Sequence, residues 1–208
     1  VTNGFEDPLS VRASSAQYQR TTASFLTRAL YNYKGKYYFN ASFRMDGTSV
    51  FPNNRWQPFW AIGAAWELTK EEFMQDQNVI DFLKLKASTG VLGVQNTGGY
   101  NYPAYPLLRT GSAAVFGDLV YTAAENDYLA DENLKWESTK QFDIGLDFGF
   151  LNNRISGEID FFSKKTKNLL LNIPVPATNG YTSITKNIGD MNNKGVEFVL
   201  NGTIFKGD

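Results

Sequence analysis

QFDIGLDFGFLNNRISGEIDFFSKK, residues Gln141 to Lys165, decides the fold class. Phe142, Ile144, Leu146, Phe148 and Phe150 occupy successive even positions, with Asp143, Gly145, Asp147 and Gly149 between them. After the break at Leu151-Asn152-Asn153-Arg154, one face continues as Ile155, Gly157, Ile159 and Phe161. The other carries Ser156, Glu158, Asp160 and, against the pattern, Phe162. Side chains of a strand alternate between two faces, so this is a hairpin with one apolar and one charged surface. A helix would scatter the same apolar residues around its circumference at steps of roughly 100°.

The same alternation recurs on both sides of the hairpin. Phe25, Thr27, Ala29, Tyr31 and Tyr33 share a face within about Gln19 to Tyr33, but the opposite set, Leu26, Arg28, Leu30 and Asn32, is mixed and leaves the facing ambiguous. Lys34-Gly35-Lys36 signals a tight turn. Tyr37, Phe39, Ala41, Phe43 and Met45 alternate with Tyr38, Asn40, Ser42, Arg44 and Asp46. Trp60, Ile62, Ala64 and Trp66 mark a strand over Phe59 to Leu68, and Leu83, Leu85, Ala87 and Thr89 mark another. A last strand carries Val196, Phe198, Leu200 and Ile204. Thr69-Lys70-Glu71-Glu72 before Phe73 reads as an N-cap with one or two helical turns.

About seven strands result. Short links follow Tyr33, Leu68 and Phe150, and longer ones follow Asp46, Gly90 and about Lys165. That layout fits an all-β, antiparallel up-and-down transmembrane barrel, with tight turns at one end and long loops at the other. Ionic residues on the polar faces and aromatics at strand ends (Tyr31, Tyr33, Tyr37, Trp60, Trp66, Trp136, Phe150) favour lipid on the apolar face. A soluble carbohydrate-binding β-sandwich alternates in the same way and remains the rival reading.

Composition narrows the function. The 208 residues hold 20 Lys and Arg against 21 Asp and Glu, a net charge of −1, which argues against nucleic acid as partner. With no Cys and no His, thiol chemistry, imidazole bases and their metal sites are excluded from these residues. No apolar run reaches the roughly 18 residues a membrane helix needs. The mean hydropathy of −0.33 is uninformative, because a barrel hides its lipid face in every second residue. Val1 opens without a signal peptide, and both ends read as cuts within a longer polypeptide.

Several runs resemble the C-terminal half of the SusC/RagA family of TonB-dependent outer-membrane transporters of Bacteroidetes. They are YKGKYYFNASFRMDGTSVF (33–51), NNRWQPFWAIGAAWELTKEEFM (53–74), LKLKASTGVLGVQN (83–96), LKWESTKQFDIGLDFGFLNNRISGEIDFFSKKTKNLLL (134–171) and NIGDMNNKGVEFVLNG (187–202). The likeness runs from about Phe25 to Phe205. It implies that residues 1–208 are part of one barrel domain of about 22 strands, with a plug domain and the remaining strands outside this chain. It also implies import of glycans or peptides, a SusD-like surface lipoprotein as lid, the TonB complex as energy source, and the cell outer membrane as location. A non-transporting outer-membrane barrel, an adhesin or assembly factor, is the alternative within the membrane reading.

Candidate chemistry is sparse. Asp143, Asp147, Glu158 and Asp160 are the nearest to an acid–base set, but a hydrated lumen explains them better than a glycosidase pair. No nucleophile and base stand together, so no enzyme activity, cofactor or metal is expected. Glu125, Asp127, Asp131 and Glu132 lack the spacing of a calcium loop. Gly90 and Gly93 lack the Lys-Ser/Thr of a phosphate loop. Tyr100, Tyr102 and Tyr105, in the GGYNYPAYP run, are the candidate ligand-binding residues, as rings that stack on a sugar or pack on the lid; rigidifying the loop is their competing role.

Overall fold

The computed structural model describes residues 17–95, 97 and 101–203. Seven long strands, in the order β1-β2-β3-β4-β7-β8-β11, form one antiparallel sheet. They are β1 (Thr22–Tyr33), β2 (Tyr37–Thr48), β3 (Trp56–Glu67), β4 (Ile80–Val94), β7 (Glu137–Phe150), β8 (Ile155–Lys167) and β11 (Met191–Gly202). Two hairpins, β5 (Leu108–Phe116) with β6 (Leu119–Asn126) and β9 (Leu170–Pro174) with β10 (Ser183–Asn187), lie inside the long connections. The sheet is open. Pairing runs from β1 to β11 without joining these two.

Register settles the facing of every strand, because residues opposite one another share a face. Leu85 lies opposite Leu146, Leu146 opposite Ile159, and Ile159 opposite Phe198. On the other face Lys84 lies opposite Asp147, Asp147 opposite Glu158, and Asp160 opposite Glu197. Phe25 and Tyr31 lie opposite Met45 and Phe39, so the ambiguous first strand joins the same apolar surface. Phe162, the exception to the alternation, sits on the charged face opposite Asp143 and Gly195, and Lys164 Nζ lies 5.2 Å from its ring. The apolar side, hereafter outward, keeps Phe25, Tyr31, Phe39, Phe43, Phe142, Ile144, Phe161 and Phe198 exposed. A soluble sandwich would cover such a surface with a second sheet, and no such sheet exists among the described residues.

At the short-connection end, Lys34 and Gly35 both have positive φ (54° and 65°) and Lys36 N–H donates to Tyr33 O at 3.0 Å, which is a type I′ hairpin turn. The β7–β8 turn is one residue longer, with Leu151, Asn152 and Asn153 all left-handed. The link from β3 to β4 corrects the capped-helix expectation. It holds two separate 3-10 turns, Leu68–Lys70 and Glu72–Met74, with no side-chain cap. Glu71 stays extended between them because its carboxylate accepts from Tyr37 Oη (2.7 Å), Trp66 Nε1 (2.9 Å) and Lys36 Nζ (3.0 Å).

At the other end the long connections are not loose. Val50, Phe51, Phe59, Ala104, Leu134, Trp136 and Leu170 form one buried cluster drawn from three connections and β3. Trp136 is only 6% exposed and packs edge-on to Phe51 and Phe59, so it belongs to this cap and not to an outward aromatic ring. Trp60 also departs from the strand-end expectation: it faces outward as the fifth residue of β3. Asn53 Nδ2 donates to Glu132 O, Asn54 Nδ2 to Leu134 O, and Asn187 exchanges bonds with both backbone groups of Lys135. Pro58 is tolerated in β3 because pairing with β4 begins only at Trp60, leaving that edge of the strand unpaired.

Candidate functional site

The inward face carries the polar chemistry, and Lys86 is its centre. Lys86 stands on β4 directly opposite Gly145 of β7. A Cβ at residue 145 would overlap both Asp160 and the Lys86 stem, so glycine there lets the ammonium reach across two strands. Its Nζ lies 2.8 Å from Asp147 Oδ1, 3.1 Å from Glu158 Oε2 and 3.2 Å from Asp160 Oδ1. Three carboxylates around one cation are its acceptors. They do not form a proton-sharing pair flanking a substrate, as acid–base glycoside cleavage requires.

Next to this cluster opens a recess of about 440 Å³, lined on its polar side by Tyr38, Asn40, Ser88, Gln141, Asp143 and Asp160. Gln141 Nε2 donates to Asp143 Oδ1 at 2.8 Å, and Tyr38 Oη donates to Glu67 Oε2 at 3.0 Å. All of these groups are hydrophilic and part-exposed, which suits water and a passing polar solute.

Nearer the capped end a second recess, about 420 Å³, is bounded by Arg20, Arg44, Asp46, Gln95 and Trp136. Arg44 Nη2 lies 2.8 Å from Asp46 Oδ2, and its guanidinium carbon sits 5.8 Å from the centre of the Phe59 ring. The remaining carboxylate oxygen, Asp46 Oδ1, and the indole Nε1 of Trp136 are buried with no hydrogen-bond partner among the described residues. A buried acceptor and a buried donor left unpaired are costly. Both residues border the recess while these two atoms lie just beneath its surface, so a ligand bearing hydroxyl or amide donors and acceptors would satisfy them by parting the rim. Gly93 belongs to this packing and not to a phosphate loop: it lies within β4, and a side chain there would overlap the Phe59 ring.

Of the three tyrosines read from sequence, Tyr100 lies outside the described residues. Tyr102 and Tyr105 meet edge to face with ring centres 5.7 Å apart. Tyr105 Oη donates to Ser49 O at 3.0 Å and Tyr128 Oη donates to Tyr102 O, so both tyrosines are tied into the cap. The acidic loop around Asp127 and Asp131 gathers no metal site, and no group of three metal-ligating residues occurs among the described residues. Sequence reasoning missed Arg44, Asp46 and Lys86 as site residues, although the alternation of β2 and β4 already placed them on the polar face.

Comparison with known proteins follows the same lines. The family model described as TonB dependent receptor-like, beta-barrel, matches residues 2–206. The TonB-dependent receptor SusC of Bacteroides thetaiotaomicron is 38% identical over 187 residues, covering 88% of this chain and 18% of that protein. The TonB-dependent receptor P3 of Formosa agariphila is 36% identical over 196 residues, covering 93% of this chain and 19% of that protein. The chain thus spans about a fifth of the length of the curated relatives it matches. The solved structure of the RagAB peptide importer in its closed-closed state superposes with a TM-score of 0.79 at 32% identity, covering 89% of this chain and 20% of that one. The siderophore receptor PirA of Pseudomonas aeruginosa, at 14% identity and a TM-score of 0.58, shares the fold alone.

Proposed function

Because the chain belongs to the TonB-dependent receptor-like β-barrel family, as a piece of an outer-membrane barrel akin to SusC and RagA, we propose that the whole protein imports a glycan or peptide nutrient. The family is one of receptors and not of enzymes. Energy comes from the TonB complex through parts outside this chain, and a SusD-like lipoprotein covers the capped end as lid.

The observation that carries the reading is the division of one sheet into an outward apolar face and an inward face of ions and polar recesses. Lipid suits the first and a hydrated path for a polar solute suits the second. The similarity to a peptide importer supports a substrate of oligomeric, hydrogen-bonding character. Within these residues, the recess beside Asp46 and Trp136 is the proposed ligand contact. Tyr102 and Tyr105 contribute ring surface to the same end of the barrel.

The test is uptake of labelled short peptides and of labelled linear oligosaccharides by cells with the gene intact, deleted, or carrying Trp136→Phe. The phenylalanine keeps an aromatic ring against Phe51 and Phe59, removes the Nε1 donor and leaves a small cavity where the wider indole stood, so folding of the variant is checked by heat-modified gel migration. Uptake of one class should depend on the gene and on the proton gradient. The variant should take up that class several-fold less well at limiting concentration, as expected for about 1 kcal/mol from one lost hydrogen bond. Gene-independent uptake of both classes would sink the importer reading. Unchanged uptake by Trp136→Phe would sink only the assigned contact.

A further inference from the structure

The outward face holds one patch that lipid tails do not explain. On β1, β2, β3, on β4 between Leu83 and Thr89, and on β7, β8 and β11, outward positions are free of Asp, Glu and Arg. They carry charge at four places only: Lys140 of β7, Lys165 and Lys167 of β8, and Lys194 of β11. All four lie at the long-connection end of adjoining strands. Lys140 and Lys165 are direct cross-strand partners, Lys167 lies opposite Ser138, and Lys194 lies opposite Ser163 one row below Lys165.

Like charges placed directly opposite on a sheet repel and destabilise it. None of the four makes an ion pair among the described residues, and Asp190, which precedes β11, pairs with none of them. All four are exposed. Immediately below them on the same strands come Phe142, Ile144, Phe161 and Val196, the upper edge of the apolar band. From Phe150 to Lys140 is ten residues, which at the strand rise and a tilt of about 40° gives roughly 25 Å, the height of a barrel's lipid belt. The lysines therefore sit at the level where acyl chains give way to headgroups, with stems long enough to lie along the last apolar side chains.

We propose that Lys140, Lys165, Lys167 and Lys194 hold the phosphate of an anionic lipid in the outer leaflet, whose acyl chains lie on Phe142, Ile144, Phe161 and Val196. A lipid supplies in one molecule the counter-charge the lysine pair lacks and the apolar cover the band beneath requires. A free anion supplies only the first. Clustered basic side chains at a headgroup level recognise phosphate in this manner.

The experiment uses the full-length protein in neutral detergent, with diphosphorylated lipid A, the same lipid A dephosphorylated, and inorganic phosphate as probes. Native mass spectrometry reads the bound lipid. The wild type should retain the diphosphorylated form. A variant with Lys140→Gln, Lys165→Gln, Lys167→Gln and Lys194→Gln should bind it roughly tenfold or more weakly. The corresponding arginine variant should bind like wild type. The dephosphorylated lipid should bind both proteins alike. Heat-modified gel migration checks that the glutamine variant folds, and the pair Lys140→Gln/Lys165→Gln replaces it if it does not. Equal retention by the glutamine variants overturns the proposal. So does inorganic phosphate that binds as tightly as the lipid, which would make this a free-anion site. Loss of a co-purifying lipoprotein with lipid retention unchanged would make the patch a protein interface and overturn it as well.

Discussion

Lys86 is the residue on which the inward face depends. Its ammonium is shared by Asp147, Glu158 and Asp160, with Asp143 and Glu197 on neighbouring positions of the same face. Removing one cation leaves three carboxylates facing one another across two strands. The cost lies between that of an exposed pair and that of a buried one, since Lys86 remains about a third exposed. Lys86→Met in the full-length protein should lower the barrel's stability by about 1–2 kcal/mol. Adding Asp147→Asn and Asp160→Asn should recover much of that loss, because the repulsion disappears with the charges. Thermal unfolding followed by heat-modified gel migration reads both. A stability unchanged in Lys86→Met would mean that solvent already screens the cluster.

At the level of elements, the β3–β4 connection shows how a turn is held without a helix. Glu71 is pulled from its ordinary pKa of 4.5 to about 2, chiefly by the Tyr37 hydroxyl and then by the Trp66 indole and Lys36. A depressed carboxylate stabilises the fold fully above its unfolded value and loses that contribution as pH falls through the folded one. The contribution of this turn is therefore complete above about pH 4.5 and fades toward pH 2. Urea unfolding of wild type and Glu71→Gln across that window should converge as pH drops, with wild type more stable only at the upper end. Parallel curves would remove Glu71 from the account. The sequence could not announce this device, because Tyr37, Trp66 and Glu71 converge only through the β2–β3 register. Strands with strict alternation were legible: β7 and β8 form over nearly the residues their pattern predicts. The opening of β11, Met191-Asn192-Asn193-Lys194-Gly195, has no such pattern and is a strand because β8 supplies its ladder. Trp136, read as an aromatic at a strand end, does stand at one, a residue before β7 begins at Glu137, but there the connections fold over it and bury it. The β5–β6 hairpin did leave a signal, the Gly117-Asp118 pair between VF and LV, with Gly117 at φ 63°.

For the whole molecule, the decisive quantity is the open sheet. Unpaired strand edges cannot stand in hydrocarbon, where no water satisfies their N–H and C=O groups. β1 and β11 each present such an edge, so further strands must close the barrel, in keeping with relatives of which this chain matches about a fifth. Each strand at a spacing of about 4.8 Å and a tilt near 40° adds roughly 6 Å of circumference, so seven make an arc of about 44 Å and not a ring of useful bore. The division into faces must then hold along the whole arc, including β1, where Leu26 and Leu30 point inward at 67% and 68% exposure against the outward Thr27 and Ala29. The absence of cysteine in these residues makes this directly measurable. Single spin-labelled cysteines at Thr27, Ala29, Phe142, Ile144 and Phe148 of the reconstituted full-length protein should be relaxed by oxygen in the bilayer. Labels at Asp143 and Asp147 should instead respond to a water-soluble nickel chelate, while Leu26 and Leu30 should be shielded from oxygen. If both sets on β7 respond alike, the faces are not divided between lipid and lumen, and the apolar surface must be a protein contact. If β7 divides but Leu26 and Leu30 respond to oxygen as Thr27 and Ala29 do, β1 leaves the sheet in the membrane, and the arc contributes six strands to the barrel.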